Sequence, residues 1–273
     1  MSSFSQSVAL FQCPICHMSL HLSGTSLLCP QRHTFDMAKQ GYVNLLLNAK
    51  KDPHYDKNSF IQRSRILEAG FYSHILEALK EELDSNHRLT ILDVACGEGY
   101  YARALSENPS YQLLAFDLSK DSVLLAAKKD PQKRISWFVG DLAKLPLADD
   151  SVDVILDIFS PANYQEFLRV LKPGGKLIKM VTASDHLQEL REAAAAQLQS
   201  KTYSNQAIVD HFAEAFPDFN MTHLSQTYPI EDKALAHFVQ MTPLFFNVNT
   251  KAIPLASIHK ITVAADMLVA QKN

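Results

Sequence analysis

From Leu89 onward, short apolar runs alternate with amphipathic stretches. The runs at 89–94, 111–117, 135–139, 152–158 and 175–182 have the length and composition of buried strands. Between them, residues 99–107, 119–129 and 163–171 place apolar side chains at helical spacing. Lys172-Pro173-Gly174-Gly175 reads as a turn feeding the fifth strand. Such alternation predicts the α/β class, a parallel sheet with helices on both faces. A longer helix rich in alanine and glutamate is expected from about Ser184 to Gln199, and 219–228 with 258–268 as a closing antiparallel pair. Upstream, Phe60, Ile61, Leu67, Ile75, Leu76, Leu79 and Leu83 recur at helical spacing and predict two helices with a bend at Ala69-Gly70-Phe71-Tyr72. The polar stretch 48–58 reads as a linker. The expected organisation is a small front domain over 1–47, that linker, and a main domain over 59–273.

The first predicted strand runs into Asp93-Val94-Ala95-Cys96-Gly97-Glu98-Gly99-Tyr100. Glycine takes φ > 0 and has no Cβ, so Gly97 and Gly99 let a ligand lie against bare backbone. The helix that follows aims free N–H groups at the same spot. Asp117 ends the next strand about twenty residues on, where nucleotide folds hold a ribose. The loop is not G-x-G-x-x-G, which argues against a pyrophosphate. A loop reading x-C-G-x-G followed by that acid resembles the S-adenosylmethionine (SAM) site of class I methyltransferases. Asp93 is placed to organise the loop or to meet the methionine ammonium. Asp141, in Gly140-Asp141-Leu142 after the third strand, can accept an adenine amine while the Leu142 N–H donates to the ring. Residues 141–153 also read D-x-x-x-L-P-x-x-x-x-S-x-D, a pattern common in these enzymes. After the fourth strand, Asp157-Ile158-Phe159-Ser160-Pro161 would face the methyl acceptor, and Asp157 is the candidate general base beside a plainer reading as a structural acid.

Three of the four cysteines fall before residue 30, and Cys13, Cys16, Cys29 and His33 read C-x2-C-x12-C-x3-H. Two knuckles of soft donors at this spacing suit a structural Zn²⁺, and four protein ligands close the site. Disulfide pairing would leave an odd thiol. His17 is the alternative fourth ligand, strained by adjoining Cys16. A front segment this short needs such a staple.

The 273 residues are 47% hydrophobic and 20% charged, which describes an ordinary globular protein. No apolar run reaches the ~18 residues of a membrane span, and no secretory signal opens the chain, so a cytoplasmic location is expected. The net charge of −3 divides unevenly, with about +4 on residues 1–65 and −7 on the rest. A basic front suggests that a polyanion touches it. Arg32, Lys39, Lys50, Lys51, Arg63 and Arg65 are the candidate RNA contacts.

With these features in hand, the chain resembles the bacterial 23S rRNA (guanine-N1)-methyltransferases, the family that includes a macrolide-resistance enzyme. The match lies in Cys13-Pro14-Ile15-Cys16, Cys29 to Lys39, Gly41-Tyr42-Val43-Asn44-Leu45-Leu46, Arg65, Ala69-Gly70-Phe71-Tyr72, Cys96 to Tyr101 and Gln240-Met241-Thr242-Pro243. The resemblance implies a Rossmann-like SAM domain behind an N-terminal zinc domain that helps to recognise RNA. It implies methylation of N1 of one guanine in a 23S rRNA hairpin loop, and a homodimer. Carried over by motif, Tyr72, Gly97, Glu98 and His186 contact SAM. Ala95 stands where the family often has glycine, and is expected to be tolerated through a negative φ. A small-molecule or other RNA SAM-dependent methyltransferase with a structural zinc, and a non-enzymatic RNA-binding ribbon, are the alternatives.

Overall fold

The computed structural model describes residues 3–47, 57–83, 86–198, 203–245 and 248–273. At the front, β1 (His21–Ser23), β2 (Ser26–Leu28) and β3 (Thr34–Asp36) form a three-stranded antiparallel sheet. The next strand, β4 (Tyr42–Asn44), does not join it. It pairs in parallel with a strand of the main sheet, Val43 opposite Phe138. The expected domain boundary at 47 therefore lies beyond a strand already built into the large sheet. The reason is apolar burial: Val43 and Leu45 enter the main core, and so do Phe4 and Phe11 from the N-terminus. Phe11 packs edge-on against Phe138 at 5.2 Å, and Ser7 Oγ shares a 2.7 Å hydrogen bond with Ser136 Oγ. Each fully buried phenylalanine stabilises the junction by roughly 1.5–3 kcal/mol.

After α1 (Lys57–Glu68) and α2 (Ser73–Glu82), the chain alternates β5 (Leu89–Val94), α3 (Tyr100–Leu105), β6 (Tyr111–Asp117), α4 (Lys120–Lys128), β7 (Ile135–Val139), β8 (Val152–Ile158), α5 (Tyr164–Val170) and β9 (Leu171–Thr182). It ends with α6 (Gln188–Ala194), α7 (Gln206–Ala215), β10 (Phe219–Pro229), α8 (Asp232–Met241) and β11 (Lys260–Gln271). The eight strands lie in the order β10-β11-β9-β8-β5-β6-β7-β4. β5 sits centrally between β6 and β8, and β11 runs antiparallel to both of its neighbours. Successive residues of the central strands bury on opposite faces: Ile91, Leu113 and Ile178 under α1 and α2, Leu92, Leu114 and Leu177 under α5 and α7. Asp93 follows Ile91 by two and so falls on the helix-α1 face, whereas Asp157 falls on the other.

Two expectations are corrected. β9 starts at Leu171 rather than 175, because Leu171 pairs with Val152 and a register irregularity absorbs the Pro-Gly-Gly turn. The helix expected over 184–199 contracts to Gln188–Ala194, with Gln199 outside the described residues. Leu187 is held at φ 52° with its N–H on Thr262 O, so β11 captures the segment that local propensity would have made helical. Two elements of the C-terminal third, α7 and α8, had no counterpart in the sequence reading. No helix among the described residues is long and apolar enough to cross a membrane.

Candidate cofactor pocket and metal centre

The loop after β5 takes left-handed backbone at three alternate positions: Ala95 at φ 49°, Gly97 at 57° and Gly99 at 74°. Alanine is thus accommodated at positive φ, contrary to the expectation, at a strain of about 1 kcal/mol. Gly99 is fixed twice over, since a Cβ there would run into the Trp137 ring. Trp137 is anchored by its Nε1–H donating to Asp130 Oδ2 at 3.1 Å, a support that no loop motif revealed.

Asp117 holds the loop. Its Oδ2 accepts the Gly97 N–H at 2.9 Å and its Oδ1 accepts the Ser119 N–H at 2.8 Å. Burial raises its pKa against those two donors. Around it lie oxygens with no hydrogen-bond partner: Asp93 Oδ2, both carboxylate oxygens of Glu98 and the Tyr101 hydroxyl. Asp93 and Glu98 are each only 2% exposed. Burial pushes the Asp93 carboxyl up to about 7, and raises that of Glu98 against the pull of Arg63. Such orphaned acceptors cost free energy unless a ligand satisfies them.

Arg63 belongs to this pocket. From α1 its guanidinium lies 3.5 Å from where a Gly97 Cβ would stand, and its Nε is 3.8 Å from Glu98 Oε1. It is therefore turned away from the basic front with which its charge had grouped it. Of the other candidate RNA contacts, Arg32, Lys39 and Arg65 are exposed, and Lys50 and Lys51 lie outside the described residues.

At the acceptor side, Tyr72 packs edge-on against Phe159 at 6.0 Å and beside His186 at 6.2 Å. His186 Nδ1 accepts the Ala264 N–H at 3.2 Å, so the ring's proton sits on Nε2. Burial, with the nearby Arg191, lowers its pKa to about 4, and it is neutral at pH 7. Phe159 is held at φ 55°, an unusual conformation for a bulky residue. Asp141, exposed at the tip of β7, turns its own loop by accepting the Ala143 N–H at 2.8 Å. Leu142 gives its carbonyl to Asn163 Nδ2 at 3.1 Å.

Asp157 does not stand as a free base. Its Oδ2 is 2.6 Å from Lys179 Nζ, its Oδ1 accepts the Ser160 hydroxyl, and both charged residues are buried. Lys179 also donates to Ser160 O at 3.0 Å. The buried pair braces the 157–161 loop.

The metal site assembles as its spacing implied. The donor atoms of Cys13, Cys16, Cys29 and His33 lie within 4.8 Å of one another. Cys16 and Cys29 sulfurs are 3.5 Å apart, and His33 Nδ1 is 3.5 Å from Cys13 Sγ and 3.4 Å from Cys29 Sγ. Those separations match the edges of a tetrahedron with bonds of about 2.0–2.3 Å, the zinc geometry. The knuckles close through His17 N–H to Cys13 O and Arg32 N–H to Cys29 O, both 2.9 Å, with His17 and Arg32 at positive φ. The His17 ring instead reaches Lys144, 3.1 Å away, which leaves His33 as the fourth ligand.

Comparisons with known proteins agree with this geometry. Residues 11–53 match the family model described as "RlmA, N-terminal", and residues 91–175 match the "Methyltransferase domain". The chain is 38% identical to a Bacillus subtilis protein named "Putative 23S rRNA (guanine-N(1)-)-methyltransferase YxjB", over 97% of this chain and 98% of that one. It is 30% identical to the 23S rRNA (guanine(748)-N(1))-methyltransferase of Streptomyces fradiae, over 96% of each. The solved YcgJ protein of Bacillus subtilis shares the fold at TM-score 0.50 and 18% identity, covering 74% of this chain and 99% of that one.

Proposed function

The chain belongs to the 23S rRNA (guanine-N1)-methyltransferase family, and from that premise we propose that it methylates N1 of one guanine in a 23S rRNA hairpin loop. Its fold is that of a SAM-dependent methyltransferase carrying a zinc ribbon. The zinc is structural: four protein ligands leave no open position.

The observation that carries the reading is the pocket around the Gly97–Asp117 hydrogen bond. Three buried acids, two with orphaned oxygens, face a single arginine. That balance suits a ligand with two positive centres and one carboxylate, which is the charge pattern of SAM. Asp117 would take the ribose hydroxyls with its remaining lone pairs, and Asp93 and Glu98 the cationic end. Arg63 would meet the carboxylate. Tyr72 and His186 would close over the ligand, with Gly97 and Gly99 as its bare floor. Asp141 and Leu142 would bound the adenine.

SAM, when bound, supplies an electrophilic methyl on a sulfonium. Guanine N1 carries a proton in the neutral base and is paired in a duplex, so the enzyme must splay the base out. The site must then hold N1 in line with the methyl while the N1 proton leaves. Because the sulfonium charge disappears in transfer, positioning and desolvation matter more than charge stabilisation. Asp157, already bound to Lys179 and Ser160, positions the loop that faces the acceptor. Arg32, Lys39 and Arg65, with Lys50 and Lys51, would supply phosphate contacts.

A cytoplasmic location accords with this substrate. So does a homodimer, for which β10 offers an outer edge of eleven residues with no Lys, Arg, Asp or Glu to discourage pairing with another strand. The test is mass-spectrometric mapping of 1-methylguanine in 23S rRNA from cells with and without the gene, repeated with purified protein, SAM and a 23S fragment. A single guanine gaining the mark only when the protein is present is expected. Unchanged rRNA, with methylation of a small molecule instead, refutes the reading.

A further inference from the structure

Beside the cofactor pocket, at the carboxyl ends of β8 and β9, lies a cavity of about 480 Å³. Its walls include Phe159, Ser160, Tyr164, Thr182 and His211, and Lys179 reaches it from below. It is separate from the loop that holds Asp117. Phe159 joins the two spaces, lining the cavity while its ring packs on Tyr72. In open α/β sheets ligands collect at the carboxyl ends of the strands, and this cavity has the size for a nucleotide.

Two buried donors, Tyr164 and Lys179, face this mainly apolar space beside Ser160, Thr182 and His211. Tyr164 is 7% exposed and its hydroxyl has no hydrogen-bond partner. The Tyr164 ring is clamped edge-on against His211 and Phe212, so the hydroxyl cannot swing out to water cheaply. Lys179 is 2% exposed and spends one ammonium proton on Asp157 and one on Ser160 O. An ammonium has three protons, so one remains. Two donors held in place favour a ligand edge that offers acceptors. Guanine offers that edge in O6 and N7, whereas adenine places a donor amine at the same position.

We propose that this cavity receives the splayed-out guanine, with Tyr164 Oη and Lys179 Nζ donating to its O6/N7 edge. The assignment rests on the guanine-N1 reading above and extends it to a specificity pocket. It also gives Lys179 a part in the chemistry. When the N1 proton passes to solvent water, negative charge moves onto O6, and a buried ammonium there favours the anion; its N1 lone pair forms the new N–C bond as the sulfonium S–CH3 bond breaks and S-adenosylhomocysteine leaves. Its hydrogen bonds to Asp157 and Ser160 O hold that ammonium in place.

The experiment is a double-mutant cycle between protein and base. The hairpin guanine mapped in the wild type is replaced by 2-aminopurine, which lacks the 6-oxo group. Binding of both RNAs is measured by anisotropy for the wild type, Tyr164→Phe, and the neutral pair Lys179→Met with Asp157→Asn. Binding of S-adenosylhomocysteine, measured alongside, checks that each variant is folded. The wild type should prefer guanine by about tenfold to a hundredfold, the worth of a hydrogen bond to a buried or charged donor. Tyr164→Phe should shrink that preference several-fold while leaving S-adenosylhomocysteine affinity unchanged. A merely structural tyrosine would weaken both RNAs equally. A preference that is absent in the wild type, or is identical in all three folded proteins, overturns the assignment while the methylation map still stands. A wild type that methylates no rRNA guanine overturns the functional reading and the cavity assignment together.

Discussion

The Gly97 amide donates to Asp117 Oδ2 at 2.9 Å, across the tips of two neighbouring parallel strands. The acid that sequence spacing assigned to a ribose is therefore also the clasp of the glycine loop. Ligand binding and loop shape are coupled through one carboxylate.

Asp117→Ala should lower S-adenosylhomocysteine affinity by about a hundredfold or more, since it removes the ribose acceptor and leaves two buried amides unpaired. Asp117→Asn, which keeps one acceptor, should lose less. Titration calorimetry of both variants gives the order, and an unchanged Ala variant refutes the ribose role.

Arg63 separates two ligands. If its guanidinium meets the methionine carboxylate, Arg63→Ala should weaken S-adenosylhomocysteine by about tenfold to a hundredfold. It should leave 5′-methylthioadenosine, which has no carboxylate, within about twofold. Equal weakening of both ligands would mean that Arg63 only shapes the loop. A loss confined to RNA binding would return it to the basic front.

Asp93 makes the ligand-free protein sensitive to pH. Its folded pKa of about 7 lies above the unfolded carboxylate value, so the folded state binds the extra proton. Stability from this group is full below the unfolded pKa of about 4 and falls as pH rises through 7. Asp93→Asn removes that slope. Urea midpoints at pH 5 and pH 8 should show the variant gaining on the wild type at the higher pH, by a few kcal/mol at most. A difference that does not change with pH contradicts the burial argument.

Cys29→Ser should empty the metal site and loosen the ribbon. Elemental analysis should find close to one zinc in the wild type and little in the variant. Because Phe11 packs on Phe138 of the main sheet and Phe4 packs on Phe11, thermal unfolding of the whole chain should also shift downward. Full zinc content in Cys29→Ser would show the ligand set to be wrong.

Gly99→Ala should be poorly tolerated, at a cost of about 1–3 kcal/mol or more, because the new methyl would meet Trp137 and φ is 74°. Trp137→Phe should relieve part of that cost. Additive losses in the double variant, read from denaturant midpoints, would refute the contact.

The central sheet and the donor sets were legible in the residues alone. Strands β5, β6, β7 and β8 fall where their apolar runs placed them, because a strand buried on both faces has little choice of residue. The four metal ligands were equally legible, since two knuckles at fixed spacing leave few geometries, and only the choice between His17 and His33 waited for the fold. The glycine loop announced itself because positive φ and close approach demand glycine at Gly97 and Gly99. Which side chains face one another emerged only from the packed fold. Arg63 counted as surface charge until α1 laid it over Gly97. Asp157 stood between a general base and a structural acid until Lys179, 22 residues later on the neighbouring strand, closed on it. β4 read as part of the front until it paired with β7, and the helix expected from Ser184 was cut short by β11. These outcomes depend on contacts between residues far apart in the chain, and local pattern carries no information about the distance between two faces that have yet to meet.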